Sequence, residues 1–351
     1  MASSDQNISS ITDIASQEEL EEILSRPSQE DVEALSRLDG DILILGAAGK
    51  MGPSLARRAV RAFRKAGSAR RVIAVARFSN QDLAHLLRHD GIEVIEANLL
   101  DTRSLADLPD AENVVYMAGR KFGTVGDEPL TWATNAYLPG LVADRYRYSR
   151  IAAWSTGNVY PLSPLASKGP KEDSPVGPIG EYAQSALARE RLFEYFGAAY
   201  GCRTSLLRLN YAVELRYGVL VDLASKIAAR EPVDLSMGAV NIVWQGYANS
   251  VCLRSLLHCS APPFVLNVTS PISYPVRWLA QQLANEMKIG PVFIGEPGDS
   301  ALLSDASRCL EMFGPSPVSM EQVIAWVAGW VRSGGSLLNK PTHFETKEGK
   351  F

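Results

Sequence analysis

From Asp41 onward the chain alternates short apolar, β-branched runs with helical patterns. "DILILGA" leads into an amphipathic stretch from Met51 to Lys65, followed by "RVIAVAR", "IEVIEA", "NVVYMAG", a helical stretch from Leu130 to Arg147, and "RIAAWST". Strands covered on both faces read as continuous apolar runs, and their alternation with helices is the βαβ rhythm of a doubly wound parallel sheet. After Gly201 the run "RTSLLRLN" continues the rhythm. The later elements are less regular: "AVNIVW", "PFVLNVT", and helices near Val276 to Met287 and Met320 to Val331. This division predicts an α/β domain over residues 41–210 and a smaller lobe over 211–333, interleaved with the end of the sheet.

Residues 1–40 read as a helical extension. "SQEELEEIL" and "SQEDVEAL" each place an acid three residues after a serine, the capping-box spacing, with Pro27 between them. Their carboxylates are expected to form a solvated face. Residues 334–351 lack periodicity and read as a tail. A net charge of -4 offers no basic face for a nucleic acid, and the dense cluster "RRAVRAFRKAGSARR" falls on an expected surface helix. Cys202, Cys252, Cys259 and Cys309 show neither metal-ligand nor disulfide spacing, so no metal site is expected. Signal-peptide and membrane-spanning patterns are also missing, which points to the cytoplasm.

"ILILGAAGKMGPSLARRA" carries the first chemical signal. An apolar run ends in Gly46, Gly49 and Gly52 follow at three-residue steps, and a helix begins. Such glycines permit a tight strand-to-helix turn and close backbone approach to a pyrophosphate, which the helix N-terminus attracts. The segment therefore points to a Rossmann-type dinucleotide site. At the end of the next strand an acid would bind the adenosine ribose, but Ala76 and Arg77 stand there. A guanidinium suits a 2′-phosphate, which favours NADP over NAD; stacking on adenine or facing solvent are the other readings of Arg77.

The spacing G-x-x-G-x-x-G resembles the extended short-chain dehydrogenase/reductase superfamily, which includes nucleotide-sugar epimerases and dehydratases, and the similarity runs from about Asp41 to about Val331. "NVVYMAGRKFG" resembles the segment of UDP-galactose 4-epimerases in which an Ala-Gly pair passes under the cofactor and a following lysine, here Lys121, contacts phosphate; an exposed loop lysine is the alternative. Asn135 in "TWATNAYLP" matches the asparagine that kinks the central helix. "AAWSTGNVYP" resembles the strand end bearing the catalytic hydroxyl, pointing to Thr156, and Tyr182 in "GEYAQSALARERLFEYF" matches the acid/base tyrosine. The resemblance implies catalytic residues Thr156, Tyr182 and Asn135. It also implies a cofactor set of Gly46, Gly49, Lys50, Met51, Gly52, Arg77, Asn98, Leu99, Ala118, Gly119, Lys121 and Tyr182, a sugar-like small-molecule substrate, and a homodimer through the helices of Asn135 and Tyr182.

The chain departs from the family where it matters most. A lysine normally follows the tyrosine by four residues and lowers the phenol's pKa, but Ala186 occupies that place. Lys121 and Arg189 are the candidate substitutes, the first expected on phosphate and the second at the surface. Gly157 and Asn158 replace the Asp-Glu pair of dehydratases, which removes the acid and base for sugar 4,6-dehydration. In the second lobe, Arg208, Asn210, Trp244 and Gln245 are candidate substrate residues, with core packing the alternative for Trp244. Two functions remain in view: an NAD(P)-dependent oxidoreductase or epimerase acting on a sugar or sugar derivative, and a non-catalytic NAD(P)-binding sensor or partner protein.

Overall fold

The computed structural model describes residues 8–121, 123 and 126–349; the remaining residues of the N-terminal extension, of the segment after Lys121 and of the tail lie outside it. The expected parallel sheet is present. Its strands are β1 (Ile42–Leu45), β2 (Val72–Ala76), β3 (Glu93–Glu96), β4 (Asn113–Tyr116), β5 (Arg150–Thr156), β6 (Arg203–Leu209) and β7 (Phe264–Val268), in the spatial order β7-β6-β5-β4-β1-β2-β3. Ile42 of β1 lies beside Val72 on one side and Asn113 on the other, so the order reverses between β1 and β4. A crevice opens at the C-terminal ends of strands at such a reversal, and ligands of open α/β sheets bind there.

Period-two alternation divides the core between the two faces. Ile42, Ile44, Ala74, Val115 and Trp154 pack on one side, and Leu43, Leu45, Val75, Val114 and Ala153 on the other. The helices that position the site are α1 (Gln17–Ser25), α2 (Gln29–Ser36), α3 (Gly52–Lys65), α4 (Gln81–His89), α5 (Thr102–Ala106), α6 (Glu128–Trp132), α7 (Leu138–Arg145) and α8 (Gly180–Tyr200). After β6, α9 (Val219–Ala228), α11 (Val276–Met287) and α13 (Met320–Arg332) pack on one another, α10 (Gln245–Ser255) packs against α2 and α3, and α12 (Ser307–Phe313) lies on β7.

The extension is helical and capped as its sequence predicts, with a complete capping box between Ser28 and Asp31. Its acids divide between a solvated face, with Glu18, Glu19, Glu30 and Glu33 exposed, and others that pair inward. Asp31 is fully buried, 2.7 Å from Arg58, and accepts a hydrogen bond from Ser250 Oγ. Glu21 pairs with Arg57 and Arg216, and Glu22 with Arg61. The extension and the arginine-rich face of α3 thus neutralise each other, and removing one partner of the buried Asp31–Arg58 pair costs about 3–5 kcal/mol.

Residues 334–349 are likewise more than a loose tail. Leu338 N donates to Arg216 O, Thr342 donates through N and Oγ1 to Asp222 at 2.8 and 2.6 Å, and Phe344 is fully buried. Glu345 pairs with Lys226, and Gly349 reaches Ile179 and Gly180, at the start of α8. Local periodicity carries no trace of this path because the segment is anchored by single side chains.

Candidate active site

The glycine loop fits the diphosphate of a dinucleotide. Gly46 has φ +92°, and a Cβ there would lie 2.6 Å from Ala118 N, so only glycine lets β1 turn beneath the end of β4. A Cβ on Gly52 would lie 2.1 Å from Ala47 O, which seats α3 close against the loop. Gly49 is different: its Cβ position is open, meeting only Gly46 O at 3.4 Å, and it faces the cavity. Helix α3 opens without a side-chain cap or a first-turn acid, leaving its N–H groups and positive end toward that space. The cofactor when bound would supply hydride chemistry, and Gly49, Lys50, Met51 and Gly119 would hold it.

At the end of β2, Ala76 is buried and Arg77 exposed. At the end of β3, Asn98 is exposed and caps Leu100 N, while Leu99 is buried in the core beneath, so only Asn98 of that pair presents its side chain to solvent. Ala118 and Gly119 follow β4, and a Cβ on Gly119 would lie 2.9 Å from Arg189 Nη2.

Thr156 ends β5 and Tyr182 lies in the first turn of α8, and both line one cavity, with the Thr156 hydroxyl close enough to the phenol to favour its ionised form. Thr156 Oγ1 donates to Asn158 Oδ1 at 3.1 Å and accepts from Asn158 N at 3.2 Å. Asn135 sits in a single π turn, Ala133–Tyr137, between α6 and α7. It holds the post-β4 segment through both ends of its amide, accepting from Arg120 N and donating to Arg120 O, each at 2.8 Å.

Arg189 is not at the surface as its position suggested. It projects inward, two turns beyond Tyr182, donating to Trp154 O at 2.6 Å, to Asn135 Oδ1 at 3.1 Å and to Asn135 O at 3.4 Å, with Tyr116 beneath its guanidinium. Ala186, in the place of the lysine, is buried among Val159, Tyr160, Val176 and Leu187. Burial raises the Tyr182 phenol above its ordinary value, against the lowering effects of the nearby Thr156 hydroxyl and the Arg189 charge. Tyr182 is therefore protonated at neutral pH in this state.

Around this pair lies a cavity of about 280 Å³ whose lining includes Gly49, Lys50, Gly119, Lys121, Thr156, Asn158, Tyr182, Asn210, Tyr211, Tyr217, Leu302 and Thr342. A groove of about 1160 Å³ between the extension, α3 and α4 meets it at Gly49, Lys50, Gly119, Lys121 and Tyr217. Lys50 spans this junction, donating to Ala212 O at 2.6 Å with its ammonium 3.8 Å from the Tyr217 ring centre. Burial pushes its pKa down to about 7, partly opposed by Glu214. Lys121 turns inward rather than lying in an exposed loop: it donates to Thr342 O and lies beside Tyr211, and burial lowers it to about 8.

Of the four candidate substrate residues, only Asn210 lines the cavity. Arg208 is buried behind it, paired with Glu190 at 2.7 Å and donating to the Tyr160 hydroxyl. Trp244 packs edge-on against Trp326, and Gln245 is buried with its amide on Ser54, because α10 lies under the extension and against α3. Tyr211, Tyr217, Leu302 and Thr342 escaped sequence reasoning, since each reaches the cavity by tertiary folding and none belongs to a local pattern; the left-handed φ of +33° at Tyr211 has no sequence marker either.

The fold and the Thr–Tyr pair define a dinucleotide-binding α/β protein with the layout of a short-chain dehydrogenase. Residues 42–230, more than half of the chain, match the model of the NAD dependent epimerase/dehydratase family, and the chain belongs to that family of enzymes. No curated protein matches its sequence. Among solved structures, the dTDP-glucose 4,6-dehydratase DesIV of Streptomyces venezuelae, with NAD bound, aligns with a TM-score of 0.71 at 16% identity over 84% of this chain and 97% of that one. The UDP-glucose 4-epimerase of Thermotoga maritima, with UDP-glucose, aligns at 0.67 and 19% identity over 84% and 99%. The Bordetella bronchiseptica enzyme WbmH, in complex with NAD+, aligns at 0.69 and 19% over the same shares. At these identities the likeness establishes the fold. Among the described residues no helix is long and apolar enough to cross a membrane, and no cluster of metal-ligating side chains occurs.

Proposed function

We propose that the protein is an NAD(P)-dependent oxidoreductase or epimerase acting on a sugar or sugar derivative. The observation that carries this reading is that Thr156 and Tyr182 together line a cavity that continues to the glycine loop. Thr156 holds the reacting oxygen of the substrate, and Tyr182 gives that oxygen a proton or takes one from it. Because Tyr182 is held protonated, its ready role is proton donor to a carbonyl oxygen. Arg189 supplies the fixed positive charge behind the phenol and, through Asn135, holds the 119–121 segment in place. Arg77 at the end of β2, with no acid beside it in sequence, supports NADP over NAD.

A homodimer through α6 to α8 is part of this proposal. Leu130, Trp132, Tyr137, Tyr195 and Tyr200 are exposed apolar side chains on these mutually packed helices. Four unpaired thiols are in keeping with a reducing, cytoplasmic setting. One observation, Ala186 sealed in an apolar cluster, favours the non-catalytic alternative. Identifying the dinucleotide released from the purified protein, and titrating NAD(H) and NADP(H) back, tests the proposal. Retained NAD points to an epimerase and exchangeable NADP to a reductase or dehydrogenase, whereas binding of neither dinucleotide refutes the reading.

A further inference from the structure

The segment that follows α13 crosses the site. Leu338 and Lys340 border the groove beside the glycine loop, and Thr342, two residues on, lines the cavity that holds Thr156 and Tyr182. The chain therefore runs over the junction of the two spaces, and a dinucleotide that reaches from the groove to Tyr182 must pass this crossing. At the same junction Lys121 Nζ donates to Thr342 O at 3.4 Å, which ties the segment to the end of β4.

The segment is held at a few points. Leu338 N donates to Arg216 O at 3.0 Å, Thr342 donates through N and Oγ1 to Asp222 of α9, and Glu345 pairs with Lys226 one turn further along that helix. Phe344 fills a buried apolar site, and Gly349 meets Ile179 and Gly180, just before Tyr182 on α8. Among residues 338–349 only Thr342 and Phe344 are buried. A stretch anchored by one aromatic side chain and several polar contacts opens at a fraction of the free energy of global unfolding. It also has a place to turn. Gly334, just past α13, has φ +74°, and its Cβ position stands in open space, a conformation and a setting suited to a hinge.

We propose that residues 338–349 form a strap that closes over bound dinucleotide, with the Lys340 ammonium drawn to its phosphate charge and Thr342 completing the wall of the reaction cavity. A ligand shifts an equilibrium only through contacts that differ between its two states, and an exposed cation carried on the strap supplies such a contact in the closed state. Closure keeps water from the space around Tyr182 and fixes Lys121 against the strap. This inference rests on the dinucleotide-binding reading above.

The test uses the full chain with and without a saturating amount of whichever of NADPH and NADH it binds. Amide hydrogen exchange should be fast in residues 338–348 of the free protein and at least about tenfold slower with dinucleotide, while α13 is unchanged. Displacement of the reduced dinucleotide, followed by its fluorescence in stopped flow, should show release at least about tenfold faster from Phe344→Ala, whose strap has lost its apolar anchor. Lys340→Glu, a change at an exposed position, should weaken dinucleotide binding about fivefold. Equal exchange in the segment with and without dinucleotide, an unchanged release rate in a folded Phe344→Ala protein, or unchanged affinity in Lys340→Glu overturns the inference. If Phe344→Ala does not fold, exchange in the parent and the affinity of Lys340→Glu decide. A chain that binds neither dinucleotide removes the reading beneath the strap, whereas one that binds dinucleotide with unaltered exchange overturns the strap alone.

Discussion

Restoring the family's lysine by Ala186→Lys probes how the site has been rebuilt. Ala186 is 1% exposed and enclosed by Val159, Tyr160, Val176 and Leu187, and the Tyr160 hydroxyl is already engaged by Arg208 and Asn267. Overpacking such a cluster costs about 1–3 kcal/mol. If the new amine is forced neutral at pH 7, the displacement from its reference pKa adds about 4.6 kcal/mol. The sum, about 6–8 kcal/mol, lowers the melting temperature by roughly 8–10 °C in a chain of this size. The pH dependence separates the two parts. A buried lysine has a folded pKa below its unfolded one, so its penalty is full below the folded pKa and fades as pH rises towards the unfolded value. By pH 9.5 the charge part shrinks to about 1.2 kcal/mol, leaving the packing part. The assay is thermal unfolding of parent and variant at both pH values, with cofactor affinity measured in parallel. A variant as stable as the parent at pH 7, and more active there, would refute the reasoning, because it would mean that the space for a lysine had been kept.

Other outcomes follow from the same geometry. Gly49→Asp should reduce dinucleotide affinity by about 100-fold or more with little change in melting temperature, since its Cβ position is open but faces the diphosphate site; calorimetry with an unfolding control decides it, and unchanged affinity would reassign the loop. Gly46 is the poorer target, because any side chain there collides with Ala118 backbone. Arg77→Ala should weaken NADP about 10- to 100-fold relative to NAD, the range for a charge-assisted hydrogen bond, and equal weakening of both would place Arg77 on shared parts of the cofactor. Dinucleotide affinity should fall as pH rises above about 7, because the anionic ligand favours the protonated Lys50 that loses its proton there in the free protein. Lys50→Gln should flatten that slope, leaving the part due to Lys121 near pH 8; binding heats in buffers of different ionisation enthalpy measure the proton uptake.

Residues whose role is set by local pattern were legible in the sequence. Alternating apolar runs gave the strands, and Gly46, Gly49 and Gly52 gave the loop, because φ, close approach and helix capping are properties of a few neighbouring residues. Order along the chain brought Thr156, Tyr182 and Asn135 into view, and the structure places all three at the end of the sheet beside the cavity. Long-range pairing was not legible. Arg189 and Arg208 carry the same charge on similar sequence backgrounds, and only tertiary packing sends one beneath Tyr182 and the other to Glu190. The acids of the extension could not be matched to the arginines of α3, and no periodicity announced that Thr342 would join the cavity wall. Trp244 and Gln245 were drawn toward the substrate by analogy, but the extension and α10 enclose them in the core.

The most direct test of the central claim is single-turnover hydride transfer, followed at 340 nm, with dinucleotide-loaded parent, Tyr182→Phe and Thr156→Val on a compound that the parent converts. Loss of the general acid should slow Tyr182→Phe by about 10²–10⁴-fold while dinucleotide affinity stays within a few-fold of the parent. A Tyr182→Phe protein that transfers hydride as fast as the parent would contradict the assignment of the Thr156–Tyr182 pair as the reacting centre.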